Sequence, residues 1–305
     1  MKFTMLPNPW DDVIDEVEGA GHHYTTDINE AEFLIFNGGK RAFPDPLPEN
    51  IGFVQWPFAG VDDLIAKGIL TEDVRWANAA GVYSKPVAEV ALGLIISQYH
   101  YFKYPTVDGS FDSRDEIVDR QDWLFNDKTV ALFGAGGIAR ELMRMLEPFG
   151  VRTIAVNRSG NEVAEADRTV AMDAADDVWG EADIVVLSLP LTDETRGLVD
   201  AEKFERMKND ALVINVGRGA LIDHDDLVDA LNEKKIAGAA MDVTAPEPLP
   251  AGHPLWSMPN VVISPHIAAP PTVARMLIGA QIIDNAAAFE RGEKMPTEVD
   301  AAAGY

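Results

Sequence analysis

Three residues fitted for chemistry stand just past apolar runs in the second half of this 305-residue sequence. Arg218 follows ALVINV in INVGRGALID, Glu247 follows AGAAMDV in MDVTAPEPLP, and His266 follows NVVIS in ISPHIAAPP. A guanidinium binds a carboxylate through two parallel hydrogen bonds and polarises an adjacent carbonyl. An imidazole gives or takes a proton near neutral pH. A carboxylate beside it orients the ring. Together the three describe reduction of a 2-oxo acid, with hydride added at C2 and a proton passed from His266 to the oxygen. Singly, each has a structural reading as well. Arg218 can cap a turn between Gly217 and Gly219, Glu247 can be a solvated loop residue, and His266 can be a structural imidazole.

A second constellation lies upstream. The run TVALF ends in Gly134-Ala135-Gly136-Gly137-Ile138-Ala139, and a helical pattern follows. In a strand–turn–helix setting, one glycine permits the tight turn and the next lets the backbone approach a pyrophosphate. The small Ala139 permits close helix–strand packing. The helix N-terminus offers N–H groups and a positive dipole end to phosphate oxygens. Where an acidic residue about 20 positions on would bind the ribose 2′-hydroxyl of NAD, this chain has Asn157-Arg158-Ser159. Arg158 can pair with a 2′-phosphate, Asn157 or Ser159 can hydrogen-bond it, and no carboxylate repels it. The expectation is NADP(H) in preference to NAD(H).

These residues need a sheet whose strand ends gather them, and the patterning supplies one. Residues 2–6, 32–37, 51–56 and 75–79 read as strands with helices between them. A helical stretch follows from Val87 to about His100, then a polar segment, 105–127, with no clear period. Six more apolar runs, at 129–133, 152–156, 183–189, 211–216, 237–243 and 260–264, suit a parallel sheet buried on both faces. Residues 272–291 read as one closing helix. The alternation predicts an α/β protein, and ligands of such sheets sit outside the carboxyl ends of the strands. His22, His23, His100, His224 and His253 have no comparable setting and read as surface or loop residues. No pattern suggests a metal site.

Composition excludes other classes. Fifty Asp and Glu against 25 Lys and Arg give a formal net charge of −25, which opposes nucleic acid or an anionic membrane as partner. Cysteine is absent, so disulfides and Cys-ligated zinc or iron–sulfur clusters are excluded. The opening residues lack the apolar run of a signal peptide, and the longest apolar stretch, Val87 to Ile96, contains Glu89 and is too short to span a bilayer. The expectation is a cytoplasmic globular protein. The acidic surplus repels itself in dilute buffer and is screened at molar salt, so a high-salt, halophilic cytoplasm is expected.

The stretches VALFGAGGIAR, IVVLSLPLTDETRGLV, LVINVGRGALID, AAMDVTAPEPLP, HPLWSMPNVVISPHIAA and the AGVD at 59–62 resemble the D-isomer-specific 2-hydroxyacid dehydrogenase family, nearest its glyoxylate/hydroxypyruvate reductase-like branch. The resemblance implies two Rossmann- or flavodoxin-like doubly wound parallel-sheet domains separated by a cleft. Residues 1–92 and 270–305 would form the substrate domain and 93–269 the dinucleotide-binding domain. It further implies that Arg218 binds the substrate carboxylate and carbonyl, that His266 is the acid/base and that Glu247 is its partner. Gly137 and Ile138 would offer backbone to the pyrophosphate. Asp242 would hold the nicotinamide amide, and Leu189, Pro190, Thr195 and Val216 would line the cofactor. Backbone N–H groups near Ala59 and Gly60 would meet the substrate carboxylate. Segment 105–127 would embrace a second subunit in a homodimer. Pro270-Pro271 depart from the pattern and suggest a stiffened connection after the histidine motif. The alternative is a dinucleotide-sensing binding protein on the same fold, like the C-terminal-binding corepressors.

Overall fold

The computed structural model describes residues 1–300. The chain divides into two compact units, one of Met1–Tyr83 with the chain from Ala269 onward, the other of Ser84–Ala268. The first unit is built on β1 (Lys2–Leu6), α1 (Asp11–Gly19), β2 (His23–Tyr24), β3 (Phe33–Phe36), β4 (Phe53–Gln55), α2 (Asp62–Ala66) and β5 (Arg75–Ala77). The strands pair in parallel in the order β2-β1-β3-β4-β5, the flavodoxin-like arrangement. Phe3, Phe33 and Phe53 lie in register on neighbouring strands and stack at 5.4 and 4.7 Å between centroids.

The second unit opens with α3 (Ser84–Tyr99), α4 (Lys103–Asp108) and α5 (Arg114–Arg120). Then come β6 (Thr129–Phe133), α6 (Gly137–Leu146), β7 (Arg152–Asn157), β8 (Arg168–Ala171), α7 (Val178–Glu181), β9 (Ile184–Leu187), α8 (Ala201–Arg206), β10 (Leu212–Asn215), α9 (His224–Asn232), β11 (Gly238–Met241), α10 (Pro254–Ser257) and β12 (Val261–Ile263). The sheet order is β12-β11-β10-β9-β6-β7-β8, with every pair parallel. Its order reverses between β6 and β9, the position where such sheets receive ligands. Strands β6, β9, β10 and β11 are buried along their whole length, as their apolar runs require. Finally α11 (Pro271–Glu290) returns to the first unit, packs on α1, and sets Phe289 5.0 Å from Phe53.

Several sequence expectations need correction. The unit boundary falls at 83/84, not 92/93, because α3 is one unbroken helix that packs on α6. Segment 105–127 holds α4 and α5; α5 buries none of its residues, so it has no apolar period to read. Its neighbour is tied down by Lys103, whose ammonium donates to the carbonyls of Trp256, Met258 and Val261 at 2.9, 2.7 and 2.7 Å. His22 lies in the loop between α1 and β2 but is buried there, and His224, buried at the start of α9, is neither a surface nor a loop residue. The short strands β2 and β8 had no apolar run to mark them. Pro271 stands in the first turn of α11, where proline is favoured, so the Pro270-Pro271 pair marks a helix start.

Candidate active site

The glycine turn is the first feature at the carboxyl edge of the seven-stranded sheet. Gly134 has φ +97°, and a Cβ there would lie 2.9–3.0 Å from the Ser188 and Leu189 backbone. Glycine is required twice over at this position. Ser188 closes the approach by donating from Oγ to the Gly134 carbonyl (2.9 Å). Gly136 precedes α6 in extended conformation with no side chain capping the helix, and a Cβ placed on it would meet nothing within 4 Å. Gly137 and Ile138 open the helix, and Ala139 is buried beneath it. An uncapped helix N-terminus beside open space fits a pyrophosphate.

At the end of β7, Asn157 is occupied in shaping its own turn. Its Nδ2 donates to the Asn161 carbonyl (2.8 Å), and its Oδ1 accepts from Gly160 N (2.6 Å) and Ser159 N (3.2 Å). That turn sets Arg158 and Ser159 at the surface. Asn157 thereby acts as a scaffold for those two residues. Leu189 and Pro190 follow β9, and Thr195 Oγ1 donates to the Pro190 carbonyl (2.7 Å). Val216 is buried and bonds the Leu187 carbonyl through its N–H (3.0 Å).

Arg218, Glu247 and His266 emerge after β10, β11 and β12. Buried Asn215 forms the arginine turn: its Nδ2 donates to the Arg218 carbonyl (2.9 Å) and its Oδ1 accepts from Gly217 N (3.1 Å). Arg218 Nη1 donates to the Gly217 carbonyl (2.9 Å). His266 Nδ1 and Glu247 Oε1 are 2.5 Å apart, and both side chains are nearly half exposed, at 45% and 43%. His266 lies in the left-handed region, φ 52°, which is unusual for a residue with a Cβ. Asp242 holds it there. Its carbonyl accepts from His266 N (2.8 Å). Its buried carboxylate accepts from Ser264 Oγ (2.6 Å), Ile267 N (3.0 Å) and Ala268 N (3.0 Å). These three bonds fix the histidine loop on Asp242, and a carboxylate with about four acceptor sites has room for one more donor.

Two residues that sequence reasoning passed over support this group. Gly219 packs so closely on the next loop that a Cβ would overlap the Thr244 carbonyl and lie 2.6 Å from Ala245 N. Buried His224 bonds the Ile222 carbonyl through Nδ1 (3.1 Å) and accepts from Ala245 N at Nε2 (3.3 Å). Burial, partly offset by the Ile222 hydrogen bond, holds the His224 ring below its ordinary pKa. The flanking glycines of Arg218 were a visible signal. The contacts themselves join residues some twenty positions apart.

In the first unit, Ala59 and Gly60 lie on the loop between β4 and α2. Trp56 and Phe58 are half-buried there, with rings 5.0 Å apart, whereas Met5 belongs to the core. Among the described residues, no group of three or more His, Cys, Asp or Glu side chains could hold a metal ion. None of their helices is long and apolar enough to cross a membrane.

A glycine turn at the switch of a parallel sheet, with a basic, an acidic and an imidazole side chain beyond neighbouring strands, defines a dinucleotide-dependent oxidoreductase. The family model for "D-isomer specific 2-hydroxyacid dehydrogenase, NAD binding domain" matches residues 98–268, and the chain belongs to that family. A Corynebacterium melassecola protein named "Uncharacterized protein in proB 3′region" is 52% identical over 305 residues, all of both chains. The glyoxylate reductase/hydroxypyruvate reductase of Mus musculus is 31% identical over 263 residues, 84% of this chain and 79% of that protein. Among solved structures, a D-isomer specific 2-hydroxyacid dehydrogenase from Xanthobacter autotrophicus Py2, in complex with NADPH and MES, superposes with a TM-score of 0.84 at 26% identity. It covers 100% of this chain and 99% of its own.

Proposed function

We propose that the protein reduces a small 2-oxo acid of the glyoxylate or hydroxypyruvate kind to the D-2-hydroxy acid, using NADP(H) in preference to NAD(H). The observation that carries the reading is the 2.5 Å pairing of His266 Nδ1 with Glu247 Oε1. It commits one ring nitrogen to the carboxylate and leaves Nε2 to face a substrate oxygen. When bound, the cofactor supplies the hydride that adds to C2. His266 Nε2 gives the proton to the developing alkoxide and recovers it from solvent, to which the ring is nearly half open. Arg218 takes the carboxylate and polarises the carbonyl, and the N–H groups of Ala59 and Gly60 take the remaining carboxylate oxygen. Gly136, Gly137 and Ile138 would hold the pyrophosphate, with Leu189, Pro190, Thr195 and Val216 around the cofactor. Arg158 and Ser159, in place of a carboxylate, support a 2′-phosphate, and the Xanthobacter relative binds NADPH. A homodimer through α4 and α5 is part of the proposal: Phe102, Val107, Phe111 and Phe125 are 57%, 55%, 87% and 67% exposed along that arm.

The test is NADPH and NADH oxidation, measured in parallel in molar KCl, against glyoxylate, hydroxypyruvate, pyruvate and branched 2-oxo acids. The expected result is NADPH oxidation with one best substrate, and an Arg158→Ala variant that loses much more with NADPH than with NADH. Equal losses with both cofactors remove the 2′-phosphate assignment. Silence across the panel despite tight NADPH binding favours the cofactor-sensing alternative.

A further inference from the structure

Among the described residues, the first unit buries three side-chain amides. Gln55 and Asn285 are 0% exposed and Asn78 is 6% exposed. Burying amides is costly unless each polar atom is paired, and a fully paired set fixes one arrangement. Here the pairs form a chain. Asn285 Nδ2, from α11, donates to Gln55 Oε1 and Thr297 Oγ1, both at 2.8 Å. Gln55 Nε2 and Thr297 Oγ1 both donate to the Asn78 carbonyl, at 3.0 and 2.8 Å, and Asn78 N donates to the Thr297 carbonyl at 3.0 Å. The Asn78 side chain is fixed in turn: Oδ1 accepts from Ala80 N (3.0 Å) and Nδ2 donates to the Ala59 carbonyl (2.8 Å).

Ala59 is not the only residue of its loop held this way. The Pro57 carbonyl accepts from Tyr83 OH (2.8 Å), the Phe58 carbonyl from Ala79 N (3.0 Å), and the Gly60 carbonyl from Trp56 Nε1 (3.0 Å). Burial raises the Tyr83 pKa, so its hydroxyl stays a donor. Four consecutive carbonyls are thus tied back. In a trans peptide the N–H that follows a carbonyl points the opposite way. Fixing the carbonyls of 57–60 therefore sets the direction of the N–H groups of 58–61.

We propose that Tyr83, Asn78 and, through Asn78, the Asn285–Thr297 pair of the C-terminal segment are positioning residues for this loop, and that they set the affinity for the substrate carboxylate. The inference rests on the assignment of Ala59 and Gly60 to that carboxylate.

The experiment uses Tyr83→Phe and Thr297→Val, which each remove one hydroxyl and little volume, with Thr297→Ser as the conservative control. Each lost hydrogen bond should raise KM for the 2-oxo acid, and Ki for the unreactive carboxylate oxamate, by about 3- to 10-fold. Turnover should stay within about twofold, the pattern of lost binding and not of lost chemistry. NADPH affinity should hold, and Thr297→Ser should behave as wild type. Hydrogen exchange of the Ala79 and Ala80 amides, measured without ligand, should accelerate in Thr297→Val. Unchanged KM and Ki in both variants, with wild type active, overturn the positioning role alone. A wild-type protein that neither reduces any 2-oxo acid nor binds oxamate overturns the carboxylate assignment and this inference with it.

Discussion

Replacing Gly219 with alanine should cripple turnover while leaving the cofactor site intact. The residue opens a buried turn right after Arg218 and is not in the left-handed region, so the substitution imposes no backbone strain of its own. Its effect is steric. The new methyl would overlap the Thr244 carbonyl and stand 2.6 Å from Ala245 N, where ordinary contact begins at 3.4 Å. These are backbone atoms and cannot rotate away. The turn that presents Arg218 and the loop that leads to Glu247 must therefore separate by about 1 Å, a misplacement worth about 10²-fold in rate when it falls on groups that orient a reactant. Overpacking of this kind also costs about 1–3 kcal/mol of stability. The glycine turn at 134–139 leaves a different strand, β6, so NADPH affinity should change by less than about threefold, well under 1 kcal/mol. The assay is kcat and KM with the best 2-oxo acid, NADPH titration by fluorescence, and thermal unfolding. Gly93→Ala, in α3 with nothing within 4 Å of the added carbon, controls for the substitution itself. A Gly219→Ala enzyme that retains turnover within about threefold and an unchanged Tm would refute the argument that the 244–247 loop is held in register with Arg218 by this contact.

Four further outcomes are expected. Gly136→Ala places its methyl in open space, so folding should be unharmed or improved by about 0.4–1 kcal/mol, while NADPH affinity falls by at least about tenfold if the pyrophosphate approaches there; isothermal titration measures it. His266→Ala should lower kcat by about 10²–10⁴-fold with NADPH binding nearly intact, and loss of cofactor binding instead would mark the residue as structural. His224 is buried neutral, with its pKa lowered chiefly by desolvation, so the unfolded chain takes up its proton near pH 6.5 while the folded chain resists. The stability it contributes is present above that pH and is lost as pH falls below it; His224→Gln should flatten the Tm profile between about pH 8 and 5.5, and a profile identical to wild type would dismiss this site. Finally, a net charge of −25 should make Tm climb between low and molar KCl, and a flat response would remove the argument for a high-salt setting.

Much of the scaffold was legible because burial repeats. Runs such as TVALF and ALVINV sit in strands buried on both faces, and the repetition of apolar side chains marks them without reference to the rest of the chain. The glycine turn was legible for a related reason: strand, turn and helix follow one another, so the positive φ at Gly134 is demanded by its immediate neighbours. Arg218, Glu247 and His266 could be singled out because each lies a few residues past such a strand. Where burial is absent the signal fails, as in α5, which fully buries none of its side chains and reads as an irregular segment.

What stayed hidden is of one physical kind. Asp242 grips Ile267 and Ala268, Asn78 grips Ala59, Thr297 grips Asn78, and Gly219 makes room for Thr244. Each joins residues 19 to 219 positions apart through one or two contacts, and so few contacts leave no period. A buried asparagine leaves the same trace in a sequence whether it braces a catalytic loop or merely caps a strand. His224 is equally silent in the sequence, where nothing near it marks a buried ring that bonds Ile222 and Ala245. Sequence patterning thus identifies groups that can do chemistry, because their types are restricted by the reaction. It does not identify the groups that aim them, because any donor of the right reach will serve and only the fold decides which one is within 3 Å.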